Sequence, residues 1–141
     1  MLFRSALANV YSQILGEEFS RSMKPFEVEV VVVEVGDPEL AGHEGNSLFK
    51  IGFDGTMQDQ EGYCVIGGPE SNLHSHMQSN YQDGLNLAEA LSLGRAALQR
   101  AENGTPDLPA KSLEVCVLDR SRSGRKFKRC CGNVVTAGKA T

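Results

Sequence analysis

Residues 24–35 read Lys24-Pro25-Phe26-Glu27-Val28-Glu29-Val30-Val31-Val32-Val33-Glu34-Val35, and the fold class turns on them. Pro25 cannot continue a helix and pushes Lys24 toward extended backbone, so whatever precedes must end there. From Phe26 the chain is rich in β-branched residues, which predicts a strand over Phe26–Val35. Glu27 and Glu29 alternate with Phe26, Val28 and Val30, giving that end one wet face. Val30 to Val33 is apolar without interruption, the pattern of a strand entering a core that is closed on both sides.

Upstream, Leu7, Val10, Tyr11, Ile14, Leu15 and Phe19 fall at helical spacing, so a helix over Ala6–Met23 with one buried apolar stripe is predicted. Downstream, Gly36 to Asn46 has loop composition. Leu48 to Phe53 reads as a strand with Phe49, Ile51 and Phe53 on one face, and Asp54-Gly55 is a hairpin turn. The return strand is expected through Tyr63, Cys64, Val65 and Ile66 to Gly67-Gly68. Pro69 suits a first helical turn, with Leu73, Met77 and Tyr81 along one side. A further helix follows Gly84. Asn86 is its N-cap with Glu89 three residues on, and Leu85 is placed to staple against Ala90. Its stripe is Leu87, Leu91, Gly94, Leu98 and Ala101, with Gly94 read as a site of close approach; Gly104 and Pro106 stop it. Leu113, Val115 and Val117 alternate as a strand, Ser121 to Gly124 turns the chain, and Lys126 to Cys130 is the last strand. Strands and helices grouped in this way, without βαβ alternation, predict the α+β class.

A chain of 141 residues and 15.3 kDa fits one domain, with 40% hydrophobic residues and no Trp. The single domain is placed at residues 6–130, and residues 131–141 are expected to be a disordered tail. Residues 1–5 are set aside, because Leu2-Phe3-Arg4-Ser5 reads like translated adapter sequence. A net charge of −4 argues against a general polyanion binder, although a local basic patch is compatible with it. No apolar run approaches the roughly 18 residues of a membrane-spanning helix, and no secretory signal is legible, so a cytoplasmic protein is expected.

Read with those elements, the residues resemble a known family. Lys24-Pro25-Phe26-Glu27-Val28-Glu29-Val30 with Glu34-Val35 is similar to the central helix-exit strand of bacterial-type proteasome α subunits. Leu48-Phe49-Lys50-Ile51 with Phe53-Asp54-Gly55 resembles the next hairpin, and Gly67-Gly68 the glycine pair before the paired helices. Leu87-Ala88-Glu89-Ala90-Leu91 resembles the long helix, and Leu113-Glu114-Val115-Cys116-Val117-Leu118-Asp119 with Arg125-Lys126-Phe127 the last hairpin. Leu7-Ala8-Asn9-Val10-Tyr11-Ser12-Gln13 is similar to the helix leading in. The resemblance runs from about Ala6 to Arg129, six motifs in order.

The resemblance implies a partial Ntn-hydrolase-like four-layer αββα sandwich with antiparallel sheets. It also implies a non-catalytic α-type subunit of the proteasome core particle, in the outer ring that scaffolds and gates protein degradation. The implied partners are other α subunits in a seven-membered ring, β subunits, and a ring-shaped ATPase activator. Relative to a whole α subunit the chain reads as N-terminally truncated, and the activator-docking lysine of the family has no counterpart in it. After Arg129 the likeness to the family's closing helix is lost. The alternative is a fragment of a catalytic threonine-peptidase subunit whose nucleophile lies in the missing part. Unburied apolar surface and open sheet edges are therefore expected, and with them marginal stability or aggregation of the chain alone.

The residues themselves supply no catalytic assignment. An N-terminal threonine enzyme uses its own α-amine as base. Gly55-Thr56 lies in a hairpin turn and Gly104-Thr105 past a helix end, so cleavage at either would cut the domain. Cys64, on an expected buried strand, reads as structural, although pairing with His43, His74 or His76 is left open. His74 and His76 stand two apart on a predicted helix and so point to different sides. Cys64, Cys116, Cys130 and Cys131 form no C-x-x-C pair, and free thiols are expected. No catalytic, cofactor-binding or metal-ligating residue is assigned, and no cofactor is expected. Arg120, Arg122, Arg125, Lys126, Lys128 and Arg129 make a basic segment with Phe127 as its single aromatic. The reading that assigns it no role is a solvated hairpin tip. The others are contact with an acidic neighbour in a ring, with Glu27, Glu29 and Glu34 supplying opposite charge, or with nucleic acid, which is not expected as a partner.

Overall fold

The computed structural model describes residues 6–36, 45–101 and 108–130. Residues 1–5, His43, Gly104, Thr105, Pro106 and the tail 131–141 with Cys131 lie outside the described residues, as does most of the Gly36–Asn46 loop. The chain divides into two compact units, Met1–Ile66 and Gly67–Thr141.

In the first unit, helix α1 (Ala6–Arg21) leads to a three-stranded antiparallel sheet of order β1-β2-β3: β1 (Val30–Glu34), β2 (Ser47–Ile51) and β3 (Met57–Asp59). Registers are Val32 opposite Phe49 and Ile51 opposite Met57. The core is Ala8 and Leu15 of α1 against Val32, Phe49 and Ile51, with Val30 packed beside them. The turn between β2 and β3 fixes where α1 sits. Gly52 N–H donates to Thr56 O at 2.9 Å and Gly55 N–H to Gly52 O at 3.0 Å. Gly55 has φ +84°, which a side chain resists. It lies against the helix: a Cβ there would stand 2.6 Å from Ser12 O and 2.7 Å from the Cα and N of Gly16. Ser12 Oγ donates to Gly55 O at 2.5 Å. Ser12 and Gly16, one turn apart, thus form a small-residue seat for the hairpin.

Five sequence expectations shift in this unit. The helix is where it was expected, but of its apolar stripe only Leu15 is buried, and small Ala8, two turns before Leu15 along the same side, completes the covered face. The strand begins at Val30, not Phe26, since pairing with β2 stops at Ile51. Val30–Val33 does not run through a core closed on both sides: Val32 is buried while Val33 is 52% exposed. The return strand is Met57–Asp59, not Tyr63–Ile66; the short Gly52–Thr56 turn brings Met57 straight back onto Ile51, and Gly62 at φ +76° follows where pairing has ended. Phe53, expected on the face of Phe49 and Ile51, is exposed past the strand and meets Phe19 edge-to-face, centroids 5.6 Å apart.

In the second unit, α2 (Glu70–Asn80) and α3 (Leu87–Ala101) pack together, and a 3-10 turn (Ala110–Ser112) precedes an antiparallel pair, β4 (Val115–Leu118) and β5 (Phe127–Cys130). Pro69 takes the N-cap position of α2, and Leu73 is its buried residue. The capping box of α3 is formed as the sequence indicates: Glu89 N–H donates to Asn86 Oδ1 at 3.0 Å and Asn86 N–H to Glu89 Oε2 at 2.8 Å. The α3 stripe is corrected. Ala97 is the buried residue, while Leu87 and Leu98 are exposed. Among the described residues of this unit a Cβ on Gly94 would meet nothing within 4 Å, so no close approach is made there within the unit. Both sheets are antiparallel and the chain is α+β.

Candidate functional site

No constellation in the described residues gathers around a nucleophile. Cys64 is half-buried and outside any strand, Cys116 is exposed and Cys130 buried, and none of the three is in a disulfide. His74 and His76 both lie on α2; His74 is exposed, and His76, half-buried, has Asn80 Nδ2 3.3 Å from its Nδ1. Thr56 stays in the β2–β3 turn, where its N–H donates to Asp54 Oδ1 at 2.9 Å and its hydroxyl also bonds that oxygen. These bonds to Thr56 hold the Asp54 carboxyl below the usual carboxylate range. Among the described residues no three His, Cys, Asp or Glu side chains come together as metal ligands, and no helix is long and apolar enough to cross a membrane.

Two surfaces remain. The first is the outer face of α1. Leu7, Val10, Tyr11 and Ile14 are 59%, 51%, 39% and 47% exposed, and at spacings of three and four they form one apolar face turned away from the sheet. Monomeric surfaces mostly scatter apolar residues, and a contiguous helical face of four stands out against that pattern. Periodicity alone did not separate this face from the one that packs inward, because the inward face is built of small residues, Ala8, Ser12 and Gly16, that carry little hydrophobic signal.

The second is the β4–β5 hairpin, where much of the basic charge is spent on its own backbone. Lys126 Nζ donates to Arg120 O at 3.0 Å and Arg122 O at 2.5 Å, closing the turn from inside. Arg122 donates to Phe127 O at 3.1 Å, and Asp119 accepts from Ser121 N–H at 3.0 Å and Ser121 Oγ at 2.6 Å. Those bonds to Ser121 lead in holding the Asp119 carboxyl low, with Arg122 and Lys128 helping. The Arg125 guanidinium lies 5.3 Å from the Phe127 ring centroid, and Arg129 pairs with Glu114 at 2.6 Å. Of the acidic residues proposed to answer this segment, Glu29 is already 3.5 Å from Lys50 Nζ. The hairpin is a pre-set turn presenting Arg125 and Lys128 at its surface.

Comparison with known proteins gives these surfaces a context. Residues 1–118 match the family described as proteasome subunit. The chain is 46% identical over 129 residues to the proteasome subunit alpha of Streptomyces scabiei, covering 89% of this chain and 50% of that protein. It is likewise 46% identical over 126 residues to that of Streptosporangium roseum, and 40% identical over 132 residues to that of Saccharopolyspora erythraea. The chain thus spans about half the length of these relatives. They carry the alpha name, so the catalytic-fragment alternative gains nothing from them. The α+β class with antiparallel sheets agrees with the Ntn-hydrolase-like fold of that family, and the chain belongs to the proteasome subunit family, on the side of its bacterial alpha subunits.

Proposed function

We propose that the chain acts as part of a non-catalytic α-type subunit of a proteasome core particle, in the outer ring that scaffolds and gates degradation by threonine-peptidase β subunits. The observation that carries this reading is the similarity to bacterial proteasome alpha subunits over 89% of the chain. The apolar outer face of α1 supports it, since a subunit of an assembly keeps such a surface for a neighbour. Both compact units belong, on this reading, to one proteasome-subunit-like domain over residues 6–130. The single family match runs through the boundary at Ile66, which supports that assignment. Its partners are then other α subunits, β subunits and a ring-shaped ATPase activator, in the cytoplasm.

The test is co-expression with a bacterial-type β subunit and size-exclusion of the product, with hydrolysis of a fluorogenic peptide followed in each fraction. Co-elution in a high-mass complex, with no hydrolysis by the chain alone, is the expected result. Hydrolysis by the chain alone, or no β subunit retained, would remove the reading.

A further inference from the structure

Charge is divided unevenly along this chain. Met1–Ile66 holds eleven acidic and four basic residues, a net of −7; Gly67–Thr141 holds seven acidic and ten basic, a net of +3. Six of those ten bases fall between Arg120 and Arg129. The turn that carries them is stiffened by its own bonds through Lys126, Arg122 and Asp119. A solvated tip has no need of that order, whereas a docking element gains from it, because the backbone that carries Arg125 and Lys128 is already set before contact.

The first unit offers a matching surface at β3, which among the described residues pairs only with β2 and whose three residues are all exposed. Asp59 ends that strand and Glu61 follows two residues on, both exposed. Residues two apart along extended chain stand about 7 Å apart in the backbone, a spacing that two long cationic side chains can span.

We propose that the β4–β5 hairpin, through Arg125 and Lys128, docks on the acidic β3 edge at Asp59 and Glu61 of a second copy of this chain. The contact is heterologous, each copy giving its basic hairpin to one neighbour and its acidic edge to the other, so it propagates around a ring or along a filament. This rests on the assembly reading above and adds to it the surface that joins copies.

The test is sedimentation velocity of the full chain at about 50 and 300 mM salt, where screening shortens from about 14 to about 6 Å. Wild-type association is expected to weaken about tenfold at the higher salt. Arg125→Glu with Lys128→Glu, and separately Asp59→Lys with Glu61→Lys, should each abolish it. An equimolar mixture of the two reversed variants should restore it. Circular dichroism matching wild type guards against misfolding, and Arg125→Gln with Lys128→Gln supplies a milder variant with the same expected direction. Association that ignores salt and charge reversal, or a mixture that stays monomeric, overturns the proposal. So does binding of a labelled single-stranded oligonucleotide that the hairpin variant loses while self-association is absent. Salt-dependent self-association without retention of a β subunit would leave this contact standing and remove the proteasome reading instead.

Discussion

Replacing Gly55 with Ala tests the seat between α1 and the β2–β3 turn. Two costs add. The left-handed conformation at φ +84° costs a residue with a Cβ about 1–2 kcal/mol. The new methyl would also stand 2.6 Å from Ser12 O and 2.7 Å from the Gly16 backbone, where no flexible side chain can yield. Overpacking of this sort costs about 1–3 kcal/mol. A loss of about 2–5 kcal/mol is expected, a large part of a stability that for small domains is about 5–15 kcal/mol. Gly84→Ala isolates the first cost, since Gly84 has φ +80° and open space around it. Gly16→Ala reverses the sign: its methyl would meet Asp54 O at 3.6 Å and Gly55 Cα at 3.8 Å, ordinary contacts, and a helical Ala gains up to about 1 kcal/mol over Gly. Urea unfolding of the three variants, followed by circular dichroism, gives the comparison. If Gly55→Ala loses no more than Gly84→Ala, the close seat is refuted; a loss in Gly16→Ala as large as that in Gly55→Ala would contradict the ordinary contacts at Gly16.

Asn86→Ala should cost about 1 kcal/mol by removing the capping bond to Glu89 N–H, read as a lowered urea midpoint; an unchanged midpoint would mean the cap is idle. Asp54 and Asp119 both have carboxyls held low by hydrogen bonds in turns, so the stabilisation they give is present above their unfolded values and lost as pH falls through the lower folded values. Hydrogen exchange at Thr56 and Ser121 amides should therefore speed up relative to neighbouring turns below about pH 4; no change would show the bonds to be slack. Val10→Lys with Ile14→Lys should lower binding of a hydrophobic fluorescent dye while shifting stability by no more than about 0.5 kcal/mol, since both side chains face out. A large loss of stability would place that face in the core.

What was legible came from signals confined to a few residues. Lys24-Pro25 ends α1 close to where the sequence says, Asp54-Gly55 turns the chain, and Asn86 with Glu89 caps α3. Chemistry alone settles these, because proline lacks a donor and the capping pair satisfies each other's backbone. Burial was less legible. Six apolar residues of α1 carry the helical period, yet Ala8 and Leu15 pack inward while Leu7, Val10, Tyr11 and Ile14 do not. The close seat for the hairpin demands small residues, and small residues are faint in a hydrophobic pattern. The β3 strand was misplaced for a related reason. Met57-Gln58-Asp59 has no β-branched residue, and turn geometry alone pairs it with β2, whereas the apolar Tyr63–Ile66 run looks more like a strand than it is. In the basic segment the residue types were plain. That Lys126 and Arg122 serve the turn itself, leaving Arg125 and Lys128 facing outward, depended on side-chain directions that spacing does not give.

Native mass spectrometry and electron microscopy of the chain co-expressed with a bacterial-type β subunit test the central claim most directly. Seven-membered rings or stacked rings containing both polypeptides are the expected result. The chain remaining monomeric or aggregated while β subunit is present would contradict the assignment to a proteasome outer ring.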